Sequence, residues 1–221
     1  MRMFHGTFGI YSYYRKYSWV SKPVVLPTRI PREARYYRAA GVQAFSSYAE
    51  PADWFTYEYQ HYLLARVWWD TKLDPQHTLH DYAEHRYAAA ASAVADYLLA
   101  MEPVASGDWA VFGQKPGTAV ELAKLESGAD AAGVALARAR SAARGDARAT
   151  EALRRLAVGY DYVRRDLEIC RLYLNRDKAG IERKLVELQR FFVANGDNGT
   201  ILLKDRTSGK RLRDAYRQLL D

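Results

Sequence analysis

Two hydrophobic rhythms divide this chain. From about residue 117 the apolar positions step by three and four. They run Leu122, Leu125, Ala129, Ala132, Leu136, Ala139 and Ala143, then Leu153, Leu156, Tyr160, Val163, Leu167, Cys170 and Leu174, then Ile181, Leu185, Leu188 and Phe192. Residues at that spacing share one face of an α-helix, so these runs predict the seams of antiparallel helices in a bundle. AsnGlyAspAsnGlyThr at 195–200 interrupts the pattern, and a last short helix is expected from about Lys210. Before residue 70 the rhythm differs. GlyIleTyrSerTyrTyr (9–14) and ValGlnAlaPheSerSerTyr (42–48) are short, β-prone and aromatic, and predict strands. Between them lie a loop with Pro23, Pro27 and Pro31 and a helix from about Arg32 to Ala40, which Gly41 stops. Strand, helix, strand is a βαβ unit, whose strands lie parallel and adjacent. Pro51 and Asp53 open a helix to about Trp69, with Pro in the first turn and Asp as its N-cap. Another helix is predicted from about Pro75 to Met101.

The expected fold is therefore mainly α with a small α/β part. Residues 1–70 form two βα units, 71–116 a connecting helical segment, and 117–221 a helical bundle. Gly and Pro cluster near 105–117 and mark a soft boundary. Two parallel strands cannot bury both faces of a sheet, because parallel sheets need more strands and helices on both sides. The first third thus reads as the last two βα units of a larger TIM-type barrel. The chain is expected to be a fragment, or to complete its sheet with a missing barrel segment or a partner chain.

Composition narrows the function classes. The 221 residues are 49% hydrophobic and 27% charged, which suits a packed domain rather than a disordered chain. No apolar run is long enough to span a bilayer, and residues 1–20 carry no signal-peptide pattern. The compartment stays open. A single cysteine, Cys170, excludes an internal disulfide and a Cys-rich zinc site, and its seam position predicts a small buried hydrophobe. The net charge of +7 is segregated: eight basic residues against one acid in 1–45, three against ten in 46–110, and twenty-two against fifteen in 111–221. The acidic middle argues against one continuous phosphate-binding face, and no nucleic-acid motif is present. All five Trp and thirteen of the seventeen Tyr precede residue 110.

Candidate chemistry gathers where the strands end. Active sites of α/β barrels sit at the C-terminal ends of their strands. Tyr11 and Tyr13 share one parity late in the first strand, and Tyr48 and Glu50 share one parity at the end of the second. Neighbouring parallel strands bring these side chains to one cleft rim, and Trp54, one turn into the next helix, supplies a wall. Aromatic faces suit the C–H surface of a pyranose, and a carboxylate accepts hydrogen bonds from sugar hydroxyls. Against this stand two blander readings: tyrosines packed in the core, and Glu50 serving a helix N-terminus. Tyr62, Trp68 and Trp69 read as packing residues of their helix.

The stretch AlaGlyValGlnAlaPheSerSerTyrAlaGluPro (40–51), continued by TyrGluTyrGlnHisTyrLeuLeuAlaArgValTrpTrpAsp (57–70), resembles the last βα unit of hexosaminidase-type glycoside-hydrolase barrels. There a final strand ends in an aromatic-x-Glu, and the following helix ends in tryptophan. It is more similar still to a bacterial family of uncharacterised glycoside-hydrolase-like proteins in which such a barrel end runs into a helical domain. The matching elements are Gly41–Val42, Glu50–Pro51, Tyr62–Leu63, Trp69–Asp70 and Tyr87, and the likeness covers roughly residues 6–105. One departure is that Tyr48 stands where the hexosaminidase pattern has Trp. The resemblance implies carbohydrate as ligand, with Tyr11, Tyr13, Tyr48, Glu50 and Trp54 lining part of the site.

Hydrolysis by this chain alone is not expected. Glycoside hydrolysis uses two carboxylates flanking the bond, and in the resembling enzymes that pair sits mid-barrel, in a part this chain does not contain. Glu50 and Asp53 are the local pair, and Asp53 reads as a cap. His77, His80, Asp81, Glu84 and His85 include i,i+4 pairs with metal-ligand chemistry, but charged residues early in a helix read as a solvated face, and no metal or other cofactor is assigned. Arg154, Arg155, Arg164, Arg165, Arg171 and Arg176, interspersed with acids, read as the charged exterior of the bundle. Phosphate-loop and nucleophile-elbow motifs are absent, which leaves nucleotide and esterase chemistry unsupported. The alternatives to a sugar-binding fragment are a helical structural or protein-interaction module and, behind it, a basic nucleic-acid binder.

Overall fold

The structure, a computed structural model, describes residues 6–14, 21–105, 118–196 and 198–201. The helix expected from Lys210 and most of the boundary near 105–117 lie outside these residues. Chain order is β1 (Gly9–Ser12), α1 (Arg29–Ala39), β2 (Ala44–Ser47), a 3₁₀ segment (Pro51–Thr56), α2 (Glu58–Trp69), α3 (Pro75–Tyr87), a 3₁₀ turn (Ala88–Ala90), α4 (Ala91–Met101), α5 (Ala119–Ala142), α6 (Ala147–Leu174) and α7 (Lys178–Asn195). The fold is mainly helical with a small two-stranded parallel sheet.

β1 and β2 pair in parallel with Gly9 opposite Ala44 and Tyr11 opposite Ser46. The crossover helix α1 ends where expected, at Gly41, whose φ of +88° is open only to a residue without a Cβ penalty. Its start is capped from afar: the Glu102 carboxylate accepts hydrogen bonds from the Thr28 backbone N–H at 3.0 Å and its hydroxyl at 2.8 Å. On the inner face of the sheet Phe45 stacks on Trp68 of α2 at 4.3 Å, and Tyr37 of α1 stacks on the same indole at 6.0 Å. Trp69, by contrast, is 93% exposed and does not pack.

Two helix expectations change. Pro51–Trp69 is not one helix, because the backbone at Asp53 leaves the helical region (φ −129°) inside the 3₁₀ segment. Asp53 is not a cap. It is fully buried and accepts a hydrogen bond from the Ser21 hydroxyl at 2.8 Å. Likewise the helix expected over 75–101 breaks at Ala88, where φ is +48°. Nothing in the alanine run 88–91 announces that break, since alanine is the strongest helix former.

The proline-containing loop joins the sheet to the helices. Ser21, Lys22, Val24, Val25 and Leu26 are buried. The Lys22 ammonium forms an ion pair with the Asp166 carboxylate of α6, both buried. The Lys22 carbonyl accepts a hydrogen bond from the Tyr57 hydroxyl at 2.6 Å. One apolar cluster then runs from Tyr14 and Leu26 through Leu63, Val94 and Leu136 to Leu167 and Cys170. A second, smaller one holds α7 on α6 through Val158, Tyr162, Ile169, Ile181, Leu185, Leu188 and Phe192. The turn after α7 reaches back to the 3₁₀ segment: Phe55 donates its N–H to the Gly199 carbonyl at 2.8 Å, and the Thr56 hydroxyl donates to the Thr200 carbonyl at 2.5 Å. Gly199 has φ +83°, and a Cβ there would meet the Phe55 ring.

Buried tyrosines set the alkaline limit of this fold. Burial pushes the Tyr87 hydroxyl up to about 12, and it raises Tyr82, Tyr97 and Tyr162 as well. An unfolded tyrosine ionises near about 10. Between those values the unfolded chain releases protons that the folded chain keeps, so stability falls as pH rises, and it is fully present below the unfolded value. Denaturant unfolding is expected to be level at neutral pH and to weaken above about pH 10, with these tyrosinates forming only as the chain unfolds. Ordinary titration of every tyrosine in the folded protein contradicts this.

Candidate functional site

The residues after β1 and β2 inherit the register of the sheet. Because Tyr11 lies opposite Ser46, the pairing extended by two residues sets Tyr13 beside Tyr48. Their ring centroids are 6.4 Å apart. Tyr11 meets Tyr13 edge-on at 5.0 Å and 90°. The Tyr48 hydroxyl donates to Glu50 Oε2 at 2.9 Å. Four of the five expected residues, Tyr11, Tyr13, Tyr48 and Glu50, therefore form one rim at the C-terminal end of the strands.

The exposure of this rim argues against the bland readings. Tyr11 is 55% and Tyr13 42% exposed, so neither ring is a core residue. Glu50 occupies the position before the 3₁₀ segment, yet its side chain makes no capping hydrogen bond. The Tyr11 hydroxyl is held above the ordinary tyrosine range, first by its hydrogen bond with Tyr13, then by partial burial and by the neighbouring Tyr13 and Tyr48 groups. The rim presents hydroxyls, ring faces and one carboxylate. Asp53 does not join it as a second acid, because it is sealed in the interior against Ser21.

Trp54 goes elsewhere. Its ring stacks on His61 at 4.7 Å and 24°, and it lines a groove of about 650 Å³ whose walls come from the 3₁₀ segment, α2, α3 and the start of α6. Within the groove lining Tyr62 donates its hydroxyl proton to Asp81, and Arg66 lies 3.2 Å from that hydroxyl and 3.4 Å from the Asp81 carboxylate. Asp81 is held below the usual carboxylate range, chiefly by the Tyr62 hydrogen bond and further by His85, Arg66 and His77, against an opposing effect of burial. The Tyr62 hydroxyl is pushed up to about 12, first by burial and then by Asp81. Arg86 pairs with Glu58 at 3.1 Å.

The sequence pattern carries no sign of this groove. Tyr62 packs against the core as its helix position predicts, and it lines the groove as well; residues 77–85 read as a solvated helix face. His77, His80 and Glu84 are indeed exposed, but Asp81 is half-buried and lines the groove with His85. The Tyr62 and Asp81 pairing lies 19 residues apart on different helices. Among the described residues no group of three or more His, Cys, Asp or Glu is placed to hold a metal ion. No described helix is long and apolar enough to cross a membrane. The bundle arginines form exterior pairs: Arg154 and Arg155 with Glu151, Arg164 with Asp130, and Arg171 with Glu126.

Residues 5–99 match a family model described as a domain of unknown function, DUF4838. The matched stretch includes both strands, the tyrosine rim and most of the groove, and stops within α4. No curated protein and no solved structure matches the chain.

Proposed function

We propose that this chain contributes part of a sugar-binding cleft in a glycoside-hydrolase-like protein, with the rim of Tyr11, Tyr13, Tyr48 and Glu50 as its contact surface. The observation that carries the reading is the exposure of two tyrosine rings, 55% and 42%, beside a carboxylate at the C-terminal end of two parallel strands. Exposed ring faces gain from covering the C–H face of a pyranose, and a carboxylate accepts hydrogen bonds at both oxygens, so it serves adjacent sugar hydroxyls. In this reading β1 and β2 are the last strands of an α/β barrel, whose open sheet edges are paired by strands from a longer chain or a partner. The chemistry of bond cleavage belongs to that remainder, since the carboxylate nearest in sequence, Asp53, is buried.

The test is Glu50→Gln, which keeps the shape and removes the charge. Hydrogen bonds to a charged acceptor contribute about 1.5–3 kcal/mol, so the variant is expected to bind an oligosaccharide roughly ten- to a hundredfold more weakly. Its thermal unfolding is expected to be unchanged, because the side chain lies at the rim and caps nothing. Calorimetric titration of the folded variant reads this directly, and an affinity equal to the wild type's contradicts the assignment.

A further inference from the structure

The groove beside Trp54 has a charge balance that selects among sugars, and here the sugar-binding reading above is taken as the premise. Three arginines line it, Arg66, Arg86 and Arg148, against two carboxylates, Asp81 and Glu58. Each carboxylate is already matched within the protein: Asp81 by Arg66 and the Tyr62 hydroxyl, Glu58 by Arg86. Arg148, in the first turn of α6, is exposed and forms no ion pair among the described residues. The wall therefore carries one unmatched positive charge. Opposite in chemistry is Trp54, one of whose ring faces is covered by His61 while the side chain remains 42% exposed. At about 650 Å³ the groove has the size of a ligand pocket rather than of a packing defect.

We infer that this groove is a subsite for a sugar unit bearing a carboxylate, a hexuronate-type residue, whose ring lies on Trp54 and whose acid group is held by Arg148. A planar guanidinium matches a carboxylate in a forked pair. Arg66 keeps its position through Asp81 and Tyr62, and that network offers hydroxyl and carboxylate oxygens to the sugar's own hydroxyls. A neutral hexose uses the ring contact but leaves Arg148 unmatched, so the groove discriminates by charge.

The test titrates the full chain with short oligogalacturonates and oligoglucuronates and with their carboxyl-reduced, neutral counterparts, reading calorimetric heat and tryptophan fluorescence. The acidic forms are expected to bind at least tenfold more tightly. Arg148→Gln, a surface change that leaves the fold intact, is expected to bring that ratio close to one while neutral affinity stays as it was. Trp54→Ala weakens both forms, and Glu50→Gln leaves the acid-to-neutral ratio unchanged. Equal affinity for acidic and neutral forms, or an acid preference untouched by Arg148→Gln, overturns the subsite. Neutral sugars that bind in a Glu50-dependent way without acid preference overturn it too, while leaving the rim reading standing. Silence toward every sugar by a folded chain overturns both.

Discussion

Replacing Lys22 by methionine is expected to cost about 3–5 kcal/mol of folding stability. Lys22 is 4% and Asp166 1% exposed, and the two face each other across the junction of loop and helix. Methionine matches much of the lysine stem but takes away the ammonium that the buried carboxylate faces. Breaking one side of such a pair leaves a charge in a medium of low dielectric, which costs far more than an exposed pair ever contributes. The loss reaches beyond the pair, because the same loop residue accepts the Tyr57 hydroxyl and precedes the buried Val24, Val25 and Leu26. Combining Lys22→Met with Asp166→Leu removes both charges and is expected to recover most of the loss. Denaturant unfolding of the wild type, both single variants and the double variant gives the coupling directly. A Lys22→Met protein within about 1 kcal/mol of wild type, roughly the value of a surface pair, contradicts a stabilising role for the buried pair.

Phe192→Ala is expected to be comparably damaging, by about 3–5 kcal/mol, but in one place. Phe192 is fully buried and meets Tyr162 edge-on at 5.0 Å. It belongs to the small cluster that holds α7 to α6, apart from the main core. A small cluster has few neighbours to collapse into the cavity, so the lost contacts are not recovered. Opening is therefore expected to be local. Amides of α7 and the turn around Gly199 lose exchange protection, while those of α4 and α5 keep theirs. That turn bonds Phe55 and Thr56 in the segment that follows Glu50. Uniform loss of protection across all helices, or no loss at all, contradicts this division.

The parts of this molecule set by local periodicity could be read from the chain. Tyr11 and Tyr13 with Tyr48 and Glu50 needed only strand parity and one parallel register, and with Tyr11 opposite Ser46 the Tyr13 ring comes 6.4 Å from Tyr48. The seams of α5, α6 and α7 needed only a helical repeat, and Gly41 only a positive φ. What stayed hidden depends on contacts far apart in sequence. Asp53 reads as a cap because Asp after Pro so often is one, and nothing nearby shows that Ser21, 32 residues earlier, holds it in the interior. Lys22 and Asp166 are separated by 144 residues, and each alone looks like an ordinary surface charge. Tyr62 and Asp81 carry no shared pattern, so the groove between α2 and α3 had no signature. Ala88 breaks a helix with the residue least expected to do so.

Titration calorimetry of the whole chain, beside a Tyr11→Ala/Tyr13→Ala double variant, against a panel of hexosamine-containing, uronate-containing and neutral oligosaccharides shows whether the tyrosine rim binds sugar. Both rings are exposed, so the double variant is expected to fold as the wild type does. Saturable binding of at least one oligosaccharide by the wild type is expected, with its loss, tenfold or more, in the double variant. Heat signals that are absent across the panel, or that survive removal of both rings, would contradict it.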